Sequence, residues 1–319
     1  MRQIVYTTPM RARFRGITTR EGVLLHGEAG WGEFSPFWDY DPPDCVPWLQ
    51  AALEAADDGW PEPVRDRVPV NCTVPAVGPE AAREVVRSSG GCRTAKVKVA
   101  EPGQTLADDI ARVEAVRSAL DDELGSGGRL RIDVNGAWTV DEAVHALREL
   151  ARFDLEYVEQ PCASVEELAA VRRRIDVPVA ADESIRRADD PLRVAALDAA
   201  DIAVLKVQPL GGVRSCLRIA ERIGLPVVVS SALESSVGIA AGVALAAALP
   251  DLPYACGLAT VSLLEQDVSG TPLLPVDGAL PVARPEPAEA LPEADAETWS
   301  RWDERLAAVW ALLRQDRPS

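Results

Sequence analysis

The chain has 319 residues, 47% of them apolar, enough for one large core and a smaller appended unit. Its formal charge is −17, from 33 Lys and Arg against 50 Asp and Glu. A chain this acidic is repelled by nucleic acid and by anionic membrane, so neither is expected as a partner. An anionic substrate would need local positive charge from a metal or from lysines.

Cys45, Cys72, Cys92, Cys162, Cys216 and Cys256 include no C-x-x-C pair, and only His26 and His145 are present to join them. Reduced, mostly buried thiols in a cytoplasmic protein are expected rather than a zinc site.

Taken in chain order, Met1–Arg15 carries several arginines but no apolar run of signal-peptide length. Ile4–Thr8 and Val23–Ala29 read as strands. Arg15–Arg20 between them reads as a loop that can cover a site, with Gly16 as its hinge. Asp44–Ala56 reads as a helix, with Asp44 as N-cap and Pro47 in the first turn. Residues 1–67 are therefore expected to form an α+β capping domain.

From residue 68 the chain alternates short apolar strands with helix-length segments. The strands are Val68–Val74, Thr94–Ala100, Leu130–Asn135, Leu155–Gln160, Val177–Asp182, Ile202–Val207, Pro226–Ser231 and Tyr254–Leu258. Segments such as Leu106–Leu120 and Val140–Ala151 have helical spacing. Strands that alternate with helices form a parallel sheet through right-handed crossovers. Eight strands and seven helices predict an α/β fold, a modified (β/α)7β TIM-type barrel over residues 68–264. The rival, an open doubly wound sheet, is weakened by the lack of G-x-G-x-x-G after the first strand.

Val237–Leu249 is the most apolar stretch. It is shorter than the roughly 20 residues that span a bilayer, and reads as a buried helix. After Leu258 the alternation stops. Residues 270–296, rich in Pro, Ala and Glu, read as an irregular connection. Thr298–Arg314 reads as a helix with Trp299, Trp302, Leu306, Val309, Trp310 and Leu313 on one stripe. That stripe is expected to dock on the cap, so that residues 265–319 return to it.

In a parallel barrel, functional side chains gather at the C-terminal ends of the strands. There the sequence places Lys96 and Lys98, then Asp133, Glu159, Asp182 and Lys206, on five consecutive strands. Charge inside an apolar strand is costly unless it is paired or bound to metal. The steps from Asp133 to Glu159 to Asp182 to Lys206 are 26, 23 and 24 residues, each about one strand-helix unit. Three carboxylates at one height make an oxygen-only site suited to a hard cation such as Mg²⁺. A salt-bridge network with the lysines is the alternative. Lys96 and Lys98 point to one face, with Lys206 across the mouth. A desolvated lysine near a cation has a lowered pKa and can act as a base.

The strings T-A-K-V-K at 94–98, R-I-D-V-N at 131–135, E-Q-P at 159–161, A-D-E-S at 181–184 and L-K at 205–206 resemble the lysine-lysine, muconate-lactonizing branch of the enolase superfamily. That superfamily is known for a Lys base working with Mg²⁺ that stabilises an enediolate. As the resemblance implies, Asp133, Glu159 and Asp182 would bind Mg²⁺, or Mn²⁺ in its place. Lys98 would be the base, Lys206 would stabilise the enediolate from the other face, and Lys96 would contact the substrate carboxylate.

Within that branch the chain most resembles the enzymes of menaquinone biosynthesis that lose water in a syn sense from 2-succinyl-6-hydroxy-2,4-cyclohexadiene-1-carboxylate. Arg131 sits two residues before the first acid, as it often does there, and would be either a substrate contact or an interior salt bridge. The segment from Val229 to Gly238 resembles their seventh-strand motif. Its Ser230 and Ser231 would bind the succinyl arm, or else finish the strand or cap the next helix. Gly257–Thr260 resembles the eighth-strand ending, except that Ala259 stands where an Asp is common. N-acylamino acid racemases and dipeptide epimerases of the same branch share the lysines and acids. A Schiff-base aldolase would not need the three acids, and a non-catalytic binding barrel would tolerate loss of Lys98.

Overall fold

In the computed structural model, which describes residues 2–188, 190–291 and 294–315, the chain opens with a three-stranded antiparallel sheet. Strand β1 (Arg2–Phe14) turns at Arg15 and Gly16 into β2 (Ile17–His26), and β3 (Trp31–Phe34) pairs with β2. Of the loop expected over Arg15–Arg20, only Arg15 and Gly16 form the hairpin tip, and residues 17–20 belong to β2. Gly16, at φ 78°, takes a left-handed turn conformation that is open to glycine. Strand β3 escapes the sequence reading because four residues are too few for alternation to stand out. Helix α1 (Val46–Leu53) follows a short 3-10 turn; its N-cap is Cys45 rather than the expected Asp44, and Pro47 lies in its first turn.

The expected first barrel strand splits in two. Strand β4 (Arg67–Pro69) turns away to pair antiparallel with a segment near residue 280, and the barrel sheet starts at β5 (Cys72–Val74). The chain then runs through α2 (Pro79–Arg87), β6 (Thr94–Lys98), α3 (Leu106–Leu124), β7 (Arg129–Asp133), α4 (Val140–Leu150), β8 (Leu155–Glu159) and α5 (Val165–Arg172). It continues through β9 (Val179–Ala181), α6 (Glu183–Arg186), α7 (Arg193–Ala196), β10 (Ile202–Leu205), α8 (Val213–Ile223), β11 (Val227–Val229) and α9 (Ser236–Ala248). Strands β5 to β11 pair in chain order and in parallel. The fifth crossover carries two four-residue helices, α6 and α7, in place of one long one.

The expected eighth strand contributes single bridges instead of a ladder. Cys256 N donates to Pro69 O at 2.7 Å and Gly257 N to Val229 O at 2.8 Å, which closes the modified barrel between β11 and the approach to β5. A Cβ on Gly257 would lie 2.5 Å from Ser230 Oγ, so a side chain there would displace that serine.

Three barrel helices start at reciprocal capping boxes, Thr105 with Asp108, Thr139 with Glu142 and Ser164 with Glu167. Each pair satisfies backbone donors that the first turn leaves free. The N-terminal domain caps two more. Glu54 accepts from the backbone N–H groups of Val213 and Arg214 at the start of α8. Glu33 accepts from those of Ser235 and Gly238 at the start of α9. A carboxylate at a helix N-terminus is favoured by the helix dipole. These acids therefore tie the N-terminal domain to the barrel.

The α9 segment is buried along nearly its whole length, as its composition implies. Strand β12 (Ala279–Pro281) pairs with β4, and helix α10 (Ala296–Gln315) ends the described chain. Within the connection expected over 270–296, residues 292 and 293 lie outside the described residues, as do Met1 and residues 316–319. Trp302, Leu306, Val309 and Leu313 of α10 pack with Val5, Phe34 and Trp48 in the cap core. Trp299 is exposed and Trp310 half-buried, so the stripe is narrower than the sequence suggests. The six thiols are free and buried. Among the described residues, no helix is long and apolar enough to cross a membrane.

Candidate active site

Register places the charged residues in one tier. Lys98 pairs with Asp133 across β6 and β7, and Asp133 with Glu159 across β7 and β8. Asp182 follows the end of β9 and Lys206 the end of β10. Residues two apart on a strand share a face, so Lys96 lies one step deeper than Lys98, beside Arg131 and Tyr157.

The tier is held by charge-assisted hydrogen bonds. Lys96 Nζ donates to both oxygens of Glu159 at 3.0 Å and stands 3.3 Å from Asp133. Lys98 Nζ donates to Asp133 at 2.5 Å and to Asn135 Oδ1 at 2.6 Å. Lys206 Nζ donates to Asp182 at 2.6 Å, and Arg186 Nε holds the other oxygen of Asp182 at 2.9 Å. All three acids are at most 1% exposed.

Their proton affinities diverge. Burial lifts Asp133, but Lys98 and Lys96 outweigh it and hold the carboxyl well below its usual range. Burial also lifts Asp182, and Arg186 and Lys206 overcome it. For Glu159, burial and the Asp133 carboxylate push the value up to about 7 against Lys96. Lys96 moves the other way from Lys98: burial lowers it, but Glu159 and Asp133 raise it above the ordinary lysine value. The donation of Lys96 to both oxygens of Glu159 is the geometry of an ion pair. Lys98 is lowered by burial and by Lys96, against Asp133.

Among the described residues, no three His, Cys, Asp or Glu side chains already converge as a metal cage. Each acid leans toward an ammonium or guanidinium group instead. The donor chemistry nevertheless fits a hard divalent cation: three buried carboxylates supply oxygen alone, and burial first, then Asp133 and Asp182, raise Glu159.

The tier opens into a pocket lined by Lys96, Lys98, Asp133 and Lys206, with Ser230 and Ser231 on the wall after β11. The hairpin tip supplies Phe14 and Arg15. Ser231 Oγ is 2.7 Å from Thr260 Oγ1. Neither serine caps α9, whose N-cap is Ser235. Of the two roles expected for Arg131, substrate contact or interior salt bridge, it takes the salt bridge here. It does not line the pocket; its guanidinium donates to Glu156, Asn71 and the Ala255 carbonyl and lies over the Tyr157 ring. Its position two residues below Asp133 puts it in the barrel interior. Ala259 also lies off the pocket wall, which Thr260 joins instead.

Sequence reasoning missed Thr73, Arg186 and Phe37, which line the same pocket. Thr73 Oγ1 is buried with no hydrogen-bond partner, and it shares register with Lys96. The strand placement of Thr73 is readable, but a single threonine carries no charge signal. Arg186 lies four residues beyond Asp182, one helical turn away, and that spacing could have flagged it.

Two family models match the chain, Enolase N-terminal domain-like over residues 5–56 and Enolase C-terminal domain-like over residues 79–287. An o-succinylbenzoate synthase from Thermobifida fusca (strain YX) is 65% identical over 311 residues, covering 97% of this chain and 96% of the relative. One from Mycolicibacterium smegmatis is 56% identical, covering 97% and 95%. Among solved structures, the L-Ala-D/L-Glu epimerase from Bacillus subtilis superposes with a TM-score of 0.74 at 24% identity, covering 90% of this chain and 96% of the other. Muconate cycloisomerase from Pseudomonas fluorescens gives 0.74 at 21%, covering 96% of each. At these identities the two structures speak for the fold alone.

Proposed function

The chain belongs to the enolase superfamily, and we infer from that premise that it is an o-succinylbenzoate synthase, a lyase acting on a small-molecule carboxylate. The reaction is the syn loss of water from 2-succinyl-6-hydroxy-2,4-cyclohexadiene-1-carboxylate in menaquinone biosynthesis. The identity of 65% across nearly the whole of both chains carries this reading.

A divalent cation is the cofactor of this superfamily, and Mg²⁺ is the ion proposed here, with Asp133, Glu159 and Asp182 to hold it. When bound, it supplies positive charge to a carboxylate whose α-carbon loses its proton. The remaining work belongs to the side chains. Lys98 takes the α-proton; the support is its pocket position and its lowered proton affinity. The C–H electrons enter the carboxylate system, and on their return the C–O bond to the hydroxyl breaks. Lys98 returns its proton to that hydroxyl, which leaves as water from the same face. Lys206, held by Asp182, stays protonated and stabilises the developing charge from the other side. Lys96 contacts the substrate carboxylate, and Ser230 and Ser231 are proposed as contacts to the succinyl arm.

The test is an ultraviolet assay of the purified protein with the cyclohexadiene carboxylate, with Mg²⁺ and after EDTA, alongside Lys98→Ala. Aromatic product is expected only with the metal, and at least about a hundredfold slower in the variant. Folded, metal-loaded protein that makes no product would overturn the reading. Exchange of the α-proton of N-succinylamino acids or dipeptides with D₂O would then place the chain elsewhere in the branch.

A further inference from the structure

Behind the pocket lies a buried arginine that the reaction does not use. Arg20, on β2 of the cap, is 2% exposed and is not part of the pocket lining. Its Nε donates to the Leu233 carbonyl at 2.9 Å and its Nη2 to the Ala232 carbonyl at 3.4 Å. Nη2 also donates to the carbonyl and hydroxyl of Ser35. The guanidinium carbon sits 4.5 Å from the centre of the Phe37 ring. Ala232, Leu233 and Phe37 all line the pocket. One side chain thus reaches three pieces of its wall, two from the barrel and one from the cap.

The segment it grips is not at rest on its own. Leu233 has φ 66°, a left-handed conformation unfavourable for a branched side chain, which persists only where the surroundings over-determine it. The carbonyl of that same residue accepts from Arg20. The fork of a guanidinium is suited to this task, because its donors have a fixed geometry that an ammonium lacks.

We propose that Arg20 is a positioning residue, which locks the loop after β11 and the Phe37 ring into the shape that receives the substrate. The proposal rests on the reading of this pocket as the substrate site. A wall that contacts substrate and transition state alike contributes uniform binding, so its loss raises KM more than it lowers kcat.

The experiment compares wild type, R20M and R20K by hydrogen exchange mass spectrometry and steady-state kinetics with Mg²⁺. In R20M the amides of residues 231–236 should exchange about tenfold faster while β1, β3 and the barrel strands keep their protection. KM should rise about tenfold, with kcat within about threefold of wild type. R20K should recover part of both. Unchanged exchange and KM in R20M would overturn the proposal. So would loosening spread evenly over cap and barrel, or a loss confined to kcat. If R20M does not fold, R20K decides on the same two readouts. If wild type makes no aromatic product, the functional reading falls, and the exchange pattern still decides whether Arg20 holds the loop.

Discussion

The two lysines at the mouth of the pocket sit in different surroundings, and that difference predicts different sensitivities. In the proposed mechanism Lys98 works as an amine that accepts a proton, whereas Lys206 supplies only a charge. Lys206→Arg preserves the charge and removes most of the basicity. It should spare dehydration to within about tenfold while reducing any racemisation of N-succinylamino acids by at least about a hundredfold. Parallel assays of both reactions check this, and abolition of dehydration at the chemical step in a folded variant would refute the one-base assignment. A second residue-scale effect lies away from the tier. Burial, and then the Glu33 carboxylate, push Glu234 up to about 7 from 4.5. Between those values the folded state binds more protons than the unfolded one, so the contribution of Glu234 to stability falls as pH rises from about 4.5 to 7. Glu234→Gln retains an oxygen to accept from the Ala232 N–H. The variant should therefore gain stability relative to wild type between pH 5 and pH 8, by up to about 3 kcal/mol. Urea unfolding at the two pH values measures it, and a relative loss over that interval would contradict the sign.

At the scale of elements, the barrel helices announce their starts in sequence, because a capping box needs only two residues at fixed spacing. Thr139→Ala removes the hydroxyl that accepts from the Glu142 N–H. It should cost about 1 kcal/mol of stability with kcat unchanged. Denaturant titration alongside the assay would reveal a catalytic role if activity fell instead. The short strands are harder to read. Strands β6, β7 and β8 lie at their expected places to within two residues at each end, since each is a five-residue run between helices. The split of Val68–Val74 is invisible in sequence, since β4 owes its partner to β12, more than two hundred residues away. The single bridges of the eighth strand also depend on both barrel edges being in place.

In the whole molecule, the last helix completes the core of the cap. Trp302 is fully buried, packs edge-on to Phe34 and donates to Glu21. Trp302→Ala should cost about 3–5 kcal/mol. If the cap shapes the pocket, KM should rise while the barrel's far-UV signal persists below the melting transition. Thermal unfolding and steady-state assays test both, and a change under about 1 kcal/mol would mean that α10 is not what secures the cap. The sequence by itself determined the alternation of strand and helix, the charged tier and its order. Periodicity and the cost of burying charge are local rules, and each strand end can be read alone. Tertiary structure alone decided that Arg131 serves the interior and that Thr73 and Phe37 face the pocket. It also decided that Arg20 reaches the loop after β11. These placements depend on barrel closure and on how the cap docks, which join residues as far as 213 positions apart in the chain, as Arg20 and Leu233 are.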